Sequence, residues 1–423
     1  MSVANLSGLL IIADDLSGAA DCAAGFAQRL STEILLDEGT STASIVAVDV
    51  DSRRLDAQAA ALANSAVLQQ GQYADKALYK KIDSTLRGNV ASEIVALQAS
   101  RGLAIVAPAY PAMGRTTRDS VQLLDGVTVA LSDVWRNEHL TGTGNLLESL
   151  SAEGLRCAAI DLDTLRDESA LTSALHDALR NKVQALICDA QTDSDLQHLA
   201  RATAPLYRQL FWVGSAGLAN HLPEALGLPA ATAIKVQGRA PVLTVVGSMS
   251  RHSQLQADTL AKHSGCFCLQ LDANTLLDPD NHEQREQLIT LLYLRLAKGD
   301  DCLLTLSQQE RDPSLAVQLS NALADWLKPA IAVAGSLIAT GGETARAILT
   351  AAGISRLEVQ GELAPGVVLS RTETGLNVVT KAGAFGQPDT LLNAWQQLHG
   401  RSTASAEPSP MTPSQNKKET HHV

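Results

Sequence analysis

Short aliphatic or β-branched runs alternate along the chain with Ala- and Leu-rich stretches of helical period. The runs Leu9–Ala13, Ile45–Asp49, Leu78–Ile82, Leu103–Ala107, Cys157–Ile160, Ala185–Cys188 and Leu210–Val213 are short enough for strands and too short for helices. Between them, Gly18–Leu30, Asp56–Gln70, Val90–Ser100, Glu168–Arg180 and Asp193–Ala204 carry the spacing of helices with one apolar face. Such alternation predicts βαβ units and a mostly parallel sheet. From Gly227 to Pro241 the pattern breaks into Gly, Pro and small or polar residues, and a second series begins at Val242–Val246. It continues through Phe267–Leu271, Cys302–Leu306, Ser336–Ala339, Leu357–Val359, Val367–Leu369 and Val378–Thr380, and closes on a helix over Asp389–His399. The expectation is an α/β protein of two domains, 1–232 and 240–400, each a mostly parallel sheet flanked by helices. Residues 401–423 offer almost nothing to bury and are expected to be a disordered tail.

Composition narrows the function. The 423 residues are 45% hydrophobic and 18% charged, which suits large cores, and the net charge of −12 disfavours nucleic acid and anionic lipid. Aromatics are 3%, too few for base-stacking platforms. Leu9–Ala13 stops at Asp14-Asp15, far short of a signal segment or membrane span, so the chain is expected to stay in the cytoplasm. The six cysteines (Cys22, Cys157, Cys188, Cys266, Cys268, Cys302) lack metal-site spacing and are expected to be buried free thiols, Cys266 and Cys268 included.

In parallel sheets, ligands bind beyond the carboxyl ends of strands, and polar or Gly-rich sequence follows several of the strands above. Asp14-Asp15-Leu16-Ser17-Gly18 puts two acids at a strand end where a helix cap needs one. Lys81-Ile82-Asp83-Ser84-Thr85-Leu86-Arg87 gathers cations, hydroxyls and an acid, the chemistry that grips a polyhydroxy acid. Arg53 and Arg54 follow another strand, and either could clamp a carboxylate. In the second half, Gly247-Ser248-Met249-Ser250 and Thr340-Gly341-Gly342-Glu343 each join a strand to a helix through small residues, which lets backbone N–H groups approach an anion. Lys381-Ala382-Gly383 adds a lysine beside further glycine-rich backbone. Neither glycine stretch is a P-loop or dinucleotide fingerprint. Together they suggest a nucleotide facing a small anionic substrate. The alternatives are an NAD-dependent dehydrogenase, disfavoured because no GxGxxG follows Leu9–Ala13, and a non-catalytic sugar-acid sensor, which would not need the glycine loops.

In order along the chain, Ala13–Ala19, Lys81–Asn89, Ala107–Pro111 with Gly114-Arg115, Gly247–Ser250, Thr340–Thr344 and Lys381–Gly386 resemble the motifs of the four-carbon acid sugar kinases, over about residues 8–398. That family includes D-threonate, D-erythronate and 3-oxo-tetronate kinases. The resemblance implies a sugar-acid domain followed by an ATP domain, an active site in the cleft between them, and phosphorylation of the 4-hydroxyl of a tetronate; D-threonate is the expected substrate, with 3-oxo-tetronate or D-erythronate the alternatives. Met249 and Ser17 stand where the family often has Cys and Thr. Asp14, with Asp83 second, is the expected catalytic acid–base group. Asp14, Arg53 or Arg54, Lys81, Asp83, Ser84 and Arg87 are expected to hold the sugar acid. Gly247, Ser248, Ser250, Thr340, Gly341, Gly342, Glu343, Lys381 and Gly383 are expected to hold ATP, with Mg²⁺ carried by phosphates and water. The metal ligands and the choice of stereoisomer are not legible, and a homodimer is left open.

Overall fold

The computed structural model describes residues 6–247, 250–307, 315–383 and 385–400. Ser248, Met249 and the tail from Arg401 to Val423 lie outside them. Fifteen strands form one sheet in the order Phe267–Asp272, Cys302–Ser307, Val242–Val246, Ser336–Thr340, Asn377–Lys381, Val367–Arg371, Arg356–Ala364, Thr32–Leu35, Ile45–Asp49, Leu9–Ala13, Ala77–Lys81, Leu210–Gly214, Leu103–Ala107, Ala185–Cys188, Cys157–Ile160. Eight strands come from the first half of the chain and seven from the second. Within each half the strands run parallel, except around Arg356–Ala364 and Val367–Arg371, which pair antiparallel. Arg356, Leu357 and Glu358 pair antiparallel with Leu35, Ile34 and Glu33, so the two halves join edge to edge into one sheet.

The apolar runs became strands because both faces of the sheet are covered. Leu9–Ala13, Ile45–Asp49, Leu103–Ala107 and Val242–Val246 are buried at every position, as expected of strands sandwiched between helix layers. Alternate residues feed opposite cores: Leu9, Ile11 and Ala13 pack on one face, Leu10 and Ile12 on the other. The helix Leu16–Ala27 is buried almost all round, because it packs under its own sheet and also against Arg356–Ala364 of the second half. Residues 228–239, where the hydrophobic pattern lapses, carry neither helix nor strand.

Three features were not expected. The strand Thr32–Leu35 joins the halves, yet only four residues long it leaves little periodic signal. A separate antiparallel ribbon, Arg115–Arg118, Val121–Leu124 and Val127–Thr128, folds beside the first half. Cys22, Cys188 and Cys302 are buried as expected, but Cys157 and Cys266 are only partly so, and Cys268 is exposed. The reason is topological: Phe267–Asp272 is an edge strand with Cys302–Ser307 as its one neighbour.

Candidate active site

Seven loops collect at the carboxyl ends of the parallel strands, and they contain the residues singled out in the sequence, apart from Ser248, which lies outside the described residues. Asp15 caps the helix Leu16–Ala27: its Oδ1 accepts from the Gly18 N–H at 2.9 Å and its Oδ2 from the Ser17 hydroxyl at 2.7 Å. Asp14, 2% exposed, accepts from Arg53 Nε at 2.7 Å through Oδ2, while its Oδ1 is buried with no partner among the described residues. Arg53 also spans Asp15, donating from Nη1 at 3.0 Å, and its Nη2 lies 3.9 Å from Asp83 Oδ1. Arg54 turns away from this cluster to pair with Glu343 of the second half, where both side chains are largely open to solvent.

Asp83 is fully committed. Its oxygens accept from Arg87 Nε at 3.0 Å and Nη2 at 2.8 Å and from the Thr85 N–H at 3.1 Å. Burial alone would raise this carboxyl, but the guanidiniums of Arg87 and Arg53, and then Lys81, hold it well below the usual range. It therefore stays ionised and anchors Arg87. The loop carrying it is pinned from outside by Gln122 Nε2 donating to Ser84 O at 2.7 Å and Trp135 Nε1 donating to Thr85 O at 2.7 Å. Leu86 adopts φ +62°, the left-handed conformation a bulky residue takes only when its surroundings impose it. The Ser84 hydroxyl bonds to no described group.

Strand geometry splits the two adjacent lysines. Lys80 points to the far face and pairs with Glu93 at 2.8 Å, wholly buried. Lys81 points to the near face beside Asp14, Asp15 and Gly18, where a Cβ on Gly18 would lie 2.6 Å from its Nζ. It is 5% exposed, with no hydrogen bond to a described residue and no described carboxylate within 4.0 Å. Burial would depress its ammonium, but Asp14 and Asp15 outweigh that and raise its pKa, so the charge persists. An unpaired buried cation beside an unpaired carboxylate oxygen is a site for a ligand carrying both an anion and a hydroxyl.

In the second half, Gly341, at φ +89°, caps the helix Gly342–Ala351. A Cβ on Gly342 would meet Ser17 Oγ at 2.7 Å and Asp15 Oδ2 at 2.8 Å, so this helix N-terminus abuts the first half's acid pair. The approach is held by Arg346, one turn on, which donates to Asp49 Oδ2 at 2.6 Å and Leu36 O at 2.8 Å and pairs with Asp51 at 3.1 Å. Gly247 packs on that helix too: a Cβ there would lie 2.8 Å from Thr344 Cβ. Ser250 caps the helix Arg251–Ser264 through the Ser253 N–H. Thr340 is fully buried, its hydroxyl without a partner among the described residues.

Lys381 turns into its own loop, donating to Ala382 O at 2.7 Å, Phe385 O at 2.8 Å and Gly383 O at 3.4 Å. Gln256 Nε2 donates to Phe385 O at 3.0 Å and Gln387 O at 2.9 Å, and Ser253 Oγ to Gly383 O at 2.7 Å. The loop's amides are engaged as well, the Phe385 N–H donating to Ala382 O at 3.2 Å and the Gln387 N–H to Thr390 Oγ1 at 2.7 Å, so its own hydrogen bonds fix its path. Burial without a counter-charge pulls the Lys381 ammonium down to about 8. Lys381→Met removes the ammonium that gathers three carbonyls, each left with another donor, so the loop should loosen and the KM for ATP is expected to rise about tenfold with sugar-acid affinity unchanged. Initial-rate kinetics in each substrate measure this, and an unaltered KM for ATP would rule out the loop's role.

Asp21 lies in the same helix as Asp15, and burial, with Glu362 and Asp15 adding to it against Lys81, pushes its carboxyl up to about 7. Between the ordinary value of 3.8 and about 7, the folded chain holds a proton that the unfolded chain has released, so this group's contribution to stability falls as pH rises through that window. Asp21→Asn removes the penalty. Urea unfolding should find it more stable than wild type at pH 8, by on the order of a few kcal/mol, and about equal at pH 4. Equal stability at both pH values would contradict the raised carboxyl.

Arg346, Gln122, Trp135, Ser253 and Gln256 were not singled out from the sequence. Arg346, four residues past Gly342 and so on the docking face of that helix, was in principle legible; the others sit at distant positions that no local pattern connects. Among the described residues no group of three or more His, Cys, Asp or Glu side chains could hold a metal, and no helix is long and apolar enough to cross a membrane.

Residues 9–222 match the family model described as a sugar-binding N-terminal domain, and residues 243–391 one described as a nucleotide-binding C-terminal domain. A D-threonate kinase of Cupriavidus necator is 43% identical, the match covering 92% of this chain and 97% of that protein. A D-threonate kinase of Bordetella bronchiseptica is 32% identical over 92% and 97%. A solved structure from Salmonella typhimurium LT2 shares the fold with a TM-score of 0.78 at 20% identity, covering 93% of this chain and all of that one. The chain belongs to the four-carbon acid sugar kinase family, and the fold is the expected α/β pair of domains.

Proposed function

We propose that this protein is an ATP-dependent kinase that phosphorylates the 4-hydroxyl of D-threonate. The observation that carries the reading is a buried carboxylate oxygen, Asp14 Oδ1, without a donor among the described residues, in the same cluster as the Lys81 ammonium and next to Asp15, which the N-terminus of the helix Gly342–Ala351 abuts. Residues 1–232 form the sugar-acid domain and 240–400 the ATP domain, with the reaction between them. The Lys81 ammonium takes the carboxylate, the Ser84 hydroxyl and Arg87 line the sugar, and Asp14 accepts the hydrogen bond of the attacking hydroxyl. Arg53 holds Asp14 in place and keeps the two acids from repelling each other. The backbone at Gly247, Gly341, Gly342 and Gly383, with the hydroxyl of Ser250, cradles the nucleotide's phosphates, and Glu343 borders them.

In the transfer, the bond from the γ-phosphorus to the bridging oxygen breaks as one to the 4-oxygen forms. The hydroxyl proton passes to Asp14, and ADP leaves. The nearby acids Asp15 and Glu343 are each engaged by an arginine, which fits Mg²⁺ held chiefly by phosphates and water. When bound, that ion offsets the negative charge on the phosphates. A thermal-shift comparison tests the class: Mg·ATP and D-threonate should each raise the melting temperature. Stabilisation by NAD instead, or by sugar acid without any response to nucleotide, would point to the dehydrogenase or the sensor.

A further inference from the structure

The cations of the site differ in whether they have a counter-ion. Arg53, Arg54 and Arg87 are each paired with a carboxylate, and Lys81 faces the sugar-acid position. Arg115 fits neither description. Its Nη1 donates to Met113 O, its Nε is buried with no partner among the described residues, and no described carboxylate lies within 4.0 Å of it. The charges that act on it most strongly are Asp83 and Asp125, then Arg87. Burial works against its charge, yet a guanidinium does not lose its proton in a protein. A desolvated cation left in this state is costly unless an anion arrives to complete it.

Its location says which anion. The guanidinium lies over the ring of Phe385, 5.5 Å from the centroid, and Tyr110 meets the same ring edge-on at 6.5 Å. Phe385 belongs to the loop after Asn377–Lys381, whose carbonyls Lys381 and Gln256 turn inward. Arg115 therefore bridges from the sugar-acid loop, through its coupling to Asp83 and Arg87, to the loop offered to the nucleotide. The group that lies between sugar acid and nucleotide is the one being transferred.

We propose that Arg115 grips the phosphoryl group in transit, its Nε–Nη2 edge, which has no partner among the described residues, taking two of the phosphoryl oxygens while Phe385 holds the guanidinium plane in position. This rests on the kinase reading above. A planar fork matches two oxygens of a phosphoryl group as a lysine cannot, and charge on those oxygens is what a loose transition state leaves to be stabilised. Arg115 is then a transition-state contact rather than a carboxylate receptor.

The test uses Arg115→Met and Arg115→Lys in the full chain, with calorimetric Kd values for D-threonate, ADP and a non-hydrolysable ATP analogue beside kcat. For Arg115→Met, Kd for D-threonate and ADP should stay within about twofold, Kd for the analogue should rise about tenfold, and kcat should fall about tenfold or more; Arg115→Lys should recover part of both losses. If Arg115→Met does not fold, Arg115→Lys carries the test, because it keeps the charge and loses the fork: analogue affinity and kcat should still drop several-fold. Unchanged kcat and analogue affinity in a folded variant overturn the proposal, as does a loss confined to D-threonate affinity. Wild type that phosphorylates D-threonate while the variants match it sinks this inference alone. Wild type inactive on every tetronate sinks the kinase reading and this inference with it.

Discussion

Asp14→Asn is expected to lower kcat on the order of 10³-fold while leaving the Kd for D-threonate within a few-fold of wild type. Asparagine keeps the size of the side chain and can still accept the hydroxyl's hydrogen bond at Oδ1, but it cannot take the proton. The site favours Asp14 over Asp83 for this role on geometry. Asp14 presents a buried oxygen with no donor among the described residues, whereas both Asp83 oxygens are filled by Arg87 and Thr85 and its charge is strongly stabilised. A carboxylate held so far below its usual range is a poor proton acceptor. Arg53, which bonds the other Asp14 oxygen, will keep part of its partnership through Asp15 in the variant, so the fold should survive. Single-turnover phosphoryl transfer with calorimetric D-threonate binding separates the two effects. If kcat survives and only D-threonate affinity falls, Asp14 is a binding residue and the proton goes elsewhere.

Lys81→Met should cost about 100-fold in kcat/KM for D-threonate, most of it in KM, because a charge-assisted contact to a carboxylate is worth roughly 1.5–3 kcal/mol. The KM for ATP should hardly move. Methionine fills nearly the same volume, and Lys81 has no described carboxylate within 4.0 Å to be left unpaired, so the loss reports the ligand rather than a broken internal pair. The contrast with its neighbour is a control: Lys80→Met leaves Glu93 buried without its cation, and the harm there should appear in stability. A Lys81→Met enzyme with wild-type KM for D-threonate would put the carboxylate elsewhere, with Arg87 the next group in line.

The two lysines also illustrate what the chain discloses about itself. That a strand ends near residue 81 was legible in the apolar run, and the period of two then assigns Lys80 and Lys81 to opposite faces. Which face holds the site was not legible, since it depends on where Glu93 and the helix Leu16–Ala27 pack. The same holds for Arg53 and Arg54. Adjacent residues leaving a strand diverge, and only the arrival of Glu343, 289 residues away, draws Arg54 outward and leaves Arg53 to the acids. Most strands and helices were legible to within a residue or two because buried parallel strands are apolar at every position. The joining strand Thr32–Leu35 was not, because its partners at Arg356–Glu358 supply the order its four residues cannot specify. Cys268 was misread for the converse reason: its segment has the composition of an inner strand but lies at the sheet edge.

The glycine loops were legible as places where backbone must come close to something, yet the something differs from loop to loop. Gly247 makes room for Thr344, and Gly342 for Ser17 and Asp15, so part of their meaning is internal packing. The Lys381 loop was read as a lysine beside flexible backbone. Its lysine serves the loop's own carbonyls, a role visible only once the backbone path is known.

The most direct measurement is coupled ADP release by the purified protein with Mg·ATP and a panel of D- and L-threonate, D- and L-erythronate and 3-oxo-tetronates, with the product's phosphate position read by phosphorus–proton correlation NMR. The expected result is the highest kcat/KM on D-threonate and a phosphate on the 4-oxygen. No sugar-acid-dependent ADP release, a higher kcat/KM on another member of the panel, or a phosphate at another oxygen would contradict it.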